Sequence, residues 1–147
     1  MFVNQLVSHG RKRVTTIGIG ALLIDAARAL SGLPAELLVV CDSDGKVAGV
    51  ITKADVVRQI THCHGTACPM VAAAAMTRDV VSCRPDEPLS IVWSKMKQYG
   101  LRHIPVIDDR SRPVGIVNAH DALEALLTSA VNEVDLLRDY VTNVGYH

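Results

Sequence analysis

One pattern occurs twice along this chain of 147 residues, and the repeat constrains the fold more than any other feature. The heptad Gly49–Asp55 (GVITKAD) returns as Gly115–Asp121 (GIVNAHD), at an offset of 66 residues (115 minus 49). Apolar positions elsewhere keep the same offset, as Leu38 and Ile104 do. Because a sequence that repeats its pattern folds as copies of one unit, we predict two similar units whose sites also occur in pairs.

Each unit shows the element order β-α-β-β-α. A short β-like run, Val14–Ile17 or Val80–Cys83, precedes a helix with one apolar face; two strands joined by a turn and a second helix follow. In the second unit, Pro85–Pro88 predicts a helix start with acid and proline in the opening turn. The predicted fold class is α/β, with units over residues 1–68 and 69–147 packed with pseudo-twofold symmetry.

A C-terminal amphipathic helix is predicted to extend past the end of the repeat. Its apolar stripe consists of Leu123, Leu126, Leu127, Ala130, Val131, Val134 and Leu137, spaced for one buried face. A contiguous apolar stripe of this kind usually marks an interface. We expect the stripe to cover the units or to dock on another chain, and the closed, self-complementary arrangement of two chains is a twofold homodimer.

Composition argues against several classes of partner. The formal net charge is zero and only 3% of residues are aromatic, so neither a basic face nor base-stacking platforms point to nucleic acid. No stretch approaches the ~20 apolar residues of a membrane span, and the amino end has no secretory pattern. We expect a cytoplasmic protein without a membrane partner, whose four cysteines are thiols rather than a disulfide framework.

The repeated heptad supports two interpretations. Thr52 or Asn118 occupies a helix N-cap position, and Asp55 or Asp121 follows three residues later, which is the spacing of a capping box. The same geometry suits a nucleotide, because a helix N-terminus attracts phosphate and a carboxylate can accept from two ribose hydroxyls. The glycine allows a ligand or a strand to approach the backbone closely.

The paired units resemble cystathionine-β-synthase (CBS) domains, and the chain resembles a stand-alone tandem CBS pair, or Bateman module. The resemblance covers nearly everything from Val14 to Leu127. It is carried by the two heptads, the segment Leu101–Asp108 and the opening Met76–Ser82.

This resemblance implies a regulatory module that binds adenosine nucleotides (AMP, ADP, ATP, in some members S-adenosylmethionine) in clefts between the units and acts on an effector protein. The site residues implied are Val14, Thr16, Val80 and Ser82 around adenine, Thr52 and Asn118 at ribose or phosphate, Asp55 and Asp121 at ribose, and Arg102 and His103 at phosphate, with Pro105 beside them. Three positions depart from the pattern. Asn118 replaces the usual Ser or Thr. In the first unit, Glu36 occupies the position equivalent to Arg102, and Val39 occupies the position equivalent to Pro105.

Two alternatives belong to other classes. The linker residues His62, Cys63, His64 and Cys68 place imidazole and thiol ligands close together, as zinc or copper prefers, so the chain could be a metal- or redox-responsive protein. In the competing interpretation, the linker is a solvated segment whose thiols have no role. A nucleotide-free dimerisation scaffold is the third reading. No nucleophile, base and oxyanion site come together in the sequence, so we expect no enzyme activity.

Overall fold

The computed structural model describes residues 1–9, 14–32, 37–62 and 69–145. Its elements in chain order are α1 (Val3–His9), β1 (Thr16–Gly18), α2 (Leu23–Ser31), β2 (Leu37–Cys41), β3 (Val47–Thr52), α3 (Lys53–Ile60), a 3₁₀ turn (Ala72–Ala74), α4 (Leu89–Tyr99), β4 (His103–Ile107), β5 (Pro113–Asn118) and α5 (Ala119–Gly145). The fold is α/β with two similar halves and a long C-terminal helix, as the sequence predicts.

The two strand hairpins confirm the repeat at the level of register. β2 pairs antiparallel with β3, and β4 pairs with β5 in the same way. Val40 lies opposite Gly49 in the first hairpin, and Val106 lies opposite Gly115 in the second. Both hairpins have a register irregularity directly after these pairs, so this local feature is repeated as well.

The opening strand forms in only one of the two units. β1 pairs parallel with β2, whereas the segment predicted as a strand over Val80–Cys83 makes a single parallel bridge, between Cys83 and Val106. In the first unit the Val39 N–H donates to the Thr15 carbonyl oxygen at 3.1 Å. The equivalent residue in the second unit is Pro105, which has no N–H to donate, so the ladder is interrupted there.

The predicted apolar helix faces are confirmed. Leu23, Ala26 and Leu30 of α2 are buried in the first core, and Leu89, Val92 and Met96 of α4 are buried in the second. The expected start of α4 needs a correction. The helix begins at Leu89 with Pro88 at its N-cap, so the acid and proline of Pro85–Pro88 form the turn before the helix rather than its opening turn.

Two segments exchange between the units. Residues 1–9, the N-terminal arm, include the fully buried Val3 of the second core, and the Val3 N–H donates to the Glu87 carbonyl oxygen at 3.0 Å. Residues 70–77, the linker arm, place Ala72 in the first core, where its N–H donates to the Ala21 carbonyl oxygen at 2.7 Å. The boundary predicted between residues 68 and 69 stays a prediction, and each core contains a segment from across it.

The heptad glycines are the points where these arms seat. A Cβ atom on Gly49 would lie 2.7 Å from the Met76 Sδ atom and 2.8 Å from the Thr77 carbonyl oxygen. A Cβ atom on Gly115 would lie 2.8 Å from a γ-carbon of Val7. The close approach that each glycine permits is therefore made by an arm: the linker arm at Gly49 and the N-terminal arm at Gly115. A larger residue at either position would have to displace that arm.

Most of the C-terminal stripe does not face its own units, although Leu126 packs against the second core. Ala122 of α5 is buried, but Leu123, Leu127, Val131, Val134 and Leu137 are all exposed. The expectation that the stripe covers its own units is therefore not met for these residues, and the alternative, docking on another chain, stays a prediction. Among the residues described, no helix is both long and apolar enough to cross a bilayer.

We predict that Gly49→Ala destabilises the protein by about 1–3 kcal/mol, because the added methyl group meets a backbone carbonyl that cannot rotate away. Gly18→Ala is the matched control, since nothing lies within 4 Å of its Cβ position. Chemical denaturation of the two variants measures the difference. Equal stability of Gly49→Ala and Gly18→Ala would show that the linker arm does not seat as described.

Candidate functional site

A cavity of about 360 Å³ lies between the two units. Its size falls within the range of small-molecule sites in proteins. It is lined by Leu37, Val50, Thr52, Lys53, Ala54, Asp55, Thr77, Asp79, Val80, Val81, Gly100, Leu101, Arg102, His103 and Pro105. The heptad of the first unit thus faces the opening segment and the β4 approach of the second.

The first unit contributes the capped N-terminus of α3. The Asp55 carboxylate accepts from the Thr52 N–H at 2.9 Å, and the Thr52 hydroxyl accepts from the Asp55 N–H at 3.3 Å. The capping box predicted for the first heptad is therefore confirmed. The helix N-terminus that borders the cavity is held in a fixed position by this pair of bonds.

The cap leaves both side chains with hydrogen-bonding capacity. The Asp55 side chain is 11% exposed, and its Oδ1 atom also lies 3.3 Å from the Arg58 guanidinium. Because a carboxylate offers about four acceptor positions, Asp55 can still accept from a ligand. The Thr52 hydroxyl uses a lone pair in the cap, which leaves its own proton for another acceptor. Capping and ligand binding are compatible here.

The second unit contributes a wall fixed by the end of α4. Gly100, at a φ of 64°, ends the helix in the left-handed conformation that favours glycine. The chain then turns through Leu101, whose N–H donates to the Met96 carbonyl oxygen at 2.9 Å. The Arg102 carbonyl oxygen accepts from the Ala119 N–H at 2.8 Å, which ties this wall to the start of α5.

His103 connects the cavity to the second heptad. Its Nε2 atom lies 3.1 Å from the Asn118 amide nitrogen, and the Asn118 Oδ1 atom accepts from the His120 N–H at 2.8 Å. Since the amide oxygen is engaged at the helix start, the amide nitrogen donates and Nε2 accepts. Asn118 therefore caps the N-terminus of α5, as the sequence predicts, and also orients the imidazole ring of His103, which lines the cavity.

The cavity combines both signs of charge with an apolar surface. Lys53, Arg102 and the helix N-terminus favour an anionic group, whereas Asp55 and Asp79 supply acceptors for hydroxyl or amino groups. Val50, Val80 and Leu101 offer an apolar surface for a flat ring. The walls can therefore contact anionic, hydrogen-bond-donating and apolar groups of one ligand.

Six of the predicted nucleotide-binding residues come together at this cavity: Thr52, Asp55, Val80, Arg102, His103 and Pro105. The other five are not part of its lining: Val14, Thr16, Ser82, Asn118 and Asp121. Val14, Asn118 and Asp121 are the repeat equivalents of Val80, Thr52 and Asp55, at the offset of 66 residues. A second site built from them stays a prediction.

Two charged lining residues are missing from the sequence-based set. Lys53 lies at a variable position of the heptad, and Asp79 lies in the opening segment Met76–Ser82. Their positions follow from the cross-unit arrangement, because the first residue of α3 and the chain after the linker arm border the same space. The repeat alone carries no signal for that pairing.

The linker alternative lies mostly outside the described residues. Of the four candidate ligands, Cys63, His64 and Cys68 fall outside them, and only His62 is described. Within residues 1–9, 14–32, 37–62 and 69–145, no group of three or more His, Cys, Asp or Glu side chains could hold a metal ion. The metal- or redox-responsive reading of the linker stays a prediction.

The two described cysteines have environments that disfavour the thiolate. Burial raises the pKa of Cys83 from 9.0 to about 12, with Glu87 adding to the effect and Lys95 opposing it. Burial, and then the charge of Asp42, raises the pKa of the Cys41 thiol. Because the thiolate is the reactive form, neither position resembles a redox-sensing cysteine.

Comparison with known proteins identifies the class of this fold and site. The CBS domain family matches residues 7–62 and 71–128, which cover each half in turn. The chain belongs to the CBS domain family and carries a tandem pair of these domains.

Two solved structures share the arrangement. A CBS-domain containing protein from Agrobacterium tumefaciens is 28% identical with a TM-score of 0.73, covering 85% of this chain and 98% of that one. The CBS domain pair of protein MJ0100, in complex with 5′-methylthioadenosine and S-adenosyl-L-methionine, is 27% identical with a TM-score of 0.72. That match covers 88% of this chain and 98% of the other.

Among curated proteins, the chain is similar to parts of larger enzymes. L-aspartate semialdehyde sulfurtransferase of Methanocaldococcus jannaschii is 33% identical over 99 residues, which are 67% of this chain and 18% of that protein. Homoserine O-acetyltransferase of Methanococcoides burtonii is 28% identical over 110 residues, 75% of this chain and 22% of that protein. The chain therefore spans only about a fifth of the length of these relatives.

We predict that Cys83 resists thiol reagents in the folded protein and reacts once the chain is unfolded. Its folded pKa of about 12 lies above the unfolded value near 9, so the stability it contributes is complete below pH 9 and is lost as pH rises through 12. Mass spectrometry after maleimide labelling tests the first expectation. Unfolding free energies of the wild type and Cys83→Val across this pH range test the second, and rapid native labelling of Cys83 would contradict both.

Proposed function

We propose that this CBS pair is a regulatory module that binds an adenosine-containing ligand in the cavity between its two units. The observation that carries the proposal is the convergence of Thr52 and Asp55 from one unit with Val80, Arg102 and His103 from the other. The complex of protein MJ0100 with two adenosine compounds supports the ligand class, since that pair has the same fold.

The parts of an adenosine nucleotide match the chemistry of the walls. The adenine ring lies against the apolar surface around Val80, as the family resemblance implies. The Asp55 carboxylate accepts from the ribose hydroxyls, and Thr52 donates to a ribose or phosphate oxygen. Lys53, Arg102 and the N-terminus of α3 bind the phosphates of AMP, ADP or ATP.

The regulatory mechanism is a shift in population between two packings of the units. A ligand that contacts both walls binds best when those walls are correctly spaced, so it favours that packing over others. An effector protein then recognises the favoured packing. The coupling is reciprocal, so the effector raises the affinity for the ligand by the same factor.

Calorimetric titration with AMP, ADP, ATP, S-adenosylmethionine and 5′-methylthioadenosine tests the proposal. Asp55→Ala should weaken the binding of every adenosine ligand by roughly 1–3 kcal/mol, the scale of a lost charged hydrogen bond. Asp25→Ala is the matched control, because Asp25 is an exposed carboxylate on α2 away from the cavity. Unchanged affinity in Asp55→Ala would rule out the cavity as the site.

Arg102→Ala separates the ligand classes and removes no helix cap. It should weaken binding of ATP and ADP while leaving 5′-methylthioadenosine nearly unaffected, because only the nucleotides carry phosphate. Thermal unfolding of both variants checks that lost binding is not lost folding. A chain that binds none of the five compounds while remaining folded would favour the dimerisation scaffold instead.

A further inference from the structure

The C-terminal part of α5 is an exposed helix with an apolar stripe. From Leu127 to Arg138 every side chain that the structure describes is exposed, apart from the half-buried Ser129. Leu127 is 58% exposed and Leu137 is 64% exposed. Isolated helices of this length are marginal in water, because most helix stability in proteins comes from packing an apolar face. The stripe therefore requires a covering surface.

The spacing of the exposed apolar residues is that of a coiled coil rather than of a general amphipathic helix. Leu123, Leu127, Ala130, Val134 and Leu137 alternate steps of four and three residues. In a heptad written abcdefg, Leu127 and Val134 take position a, and Leu123, Ala130 and Leu137 take position d. The sequence continues the alternation with Val141 and Val144 on the same helix.

The seam lies to one side of the surface that α5 uses within its own chain. Ala119, Ala122, Ala125 and Leu126 pack against the second core. At 3.6 residues per turn, the a and d positions are centred about a quarter of a turn away from them. A second helix can therefore lie along the seam without displacing the second unit.

We propose that a second copy of this chain covers the seam with its own α5, in parallel, as a two-stranded coiled coil. Val134 at a, with Leu123 and Leu137 at d, follows the pattern that favours two parallel strands, from which Leu127 at a and Ala130 at d depart. In a parallel pair, each g position faces the e position five residues later on the other helix. Glu133 at g then faces Arg138 of the second copy.

Charge pairing favours this direction over the reverse one. In the parallel pair, Glu133 of each chain meets Arg138 of the other, so the attractive contact occurs on both sides of the seam. In an antiparallel pair that buries the same apolar residues, each g position faces a g position of the other helix. Glu133 would then face Glu133 of the second copy. The parallel arrangement has no like-charge contact at these positions.

Charge reversal in the full chain tests both the interface and its direction. Glu133→Arg or Arg138→Glu alone should raise the dimer dissociation constant roughly tenfold, because two attractive pairs become repulsive. The double variant Glu133→Arg/Arg138→Glu should restore wild-type association. Asn132→Arg, at the outward f position, is the charge control. Analytical ultracentrifugation at micromolar concentration measures all four.

A cysteine at the seam reports direction independently of affinity. The variant Ala130→Cys, at d, should form a disulfide with the same position of the second copy under mild oxidation. The yield of cross-linked dimer from Asn132→Cys, at f, should not exceed the wild-type background from the four native cysteines. A monomeric wild-type chain, single variants that associate like the wild type, or a double variant weaker than either single one would each overturn the proposal. Single and double variants that all associate like the wild type would indicate antiparallel pairing, because like charges then face each other in every variant.

Discussion

The seating of each arm against a heptad glycine is the contact on which the rest of the structure depends. At Gly49 the linker arm approaches so closely that Val50 and Thr77 exchange two backbone hydrogen bonds, of 3.0 and 2.8 Å. At Gly115 the N-terminal arm approaches through the side chain of Val7. Since the arms also complete the cores on which they seat, neither unit buries its apolar residues without a segment from the other.

This exchange also sets the width of the cavity. Val50 and Thr77 both line it, and Asp79 and Val80 follow Thr77 directly along the chain. The bonds between Val50 and Thr77 therefore hold the second unit's opening segment opposite the capped end of α3. The width of the cavity is therefore set by the same backbone contact that joins the linker arm to β3.

Local sequence signals were sufficient wherever a residue's role depended on its neighbours in the chain. The hairpins, the capping box of Thr52 and Asp55, and the apolar faces of α2 and α4 follow from spacing alone. Local sequence signals were insufficient where residues distant in the chain determine the structure of a segment. The Val80–Cys83 strand is interrupted by the missing N–H of Pro105, and α1 is a seven-residue helix held by a core that follows it in the chain.

The candidate site shows the same division. The repeat pointed to Thr52 and Asp55, but only the arrangement of the two units pairs them with Lys53 and Asp79. The periodicity of the sequence predicts the apolar stripe of α5, but it does not predict that the stripe is exposed in the single chain. An interface within the chain and one between chains have the same periodicity, and only the position of α5 relative to the second core separates them.

The claim that the inter-unit cavity binds an adenosine ligand is tested most directly by two-dimensional NMR of the 15N-labelled chain during titration with ATP or S-adenosylmethionine. If the cavity is the site, the backbone amides of Thr52, Asp55, Val80 and Arg102 shift saturably, with both walls responding over the same range of ligand concentration. Amide shifts confined to one unit, or a spectrum unchanged by every adenosine compound, would contradict it.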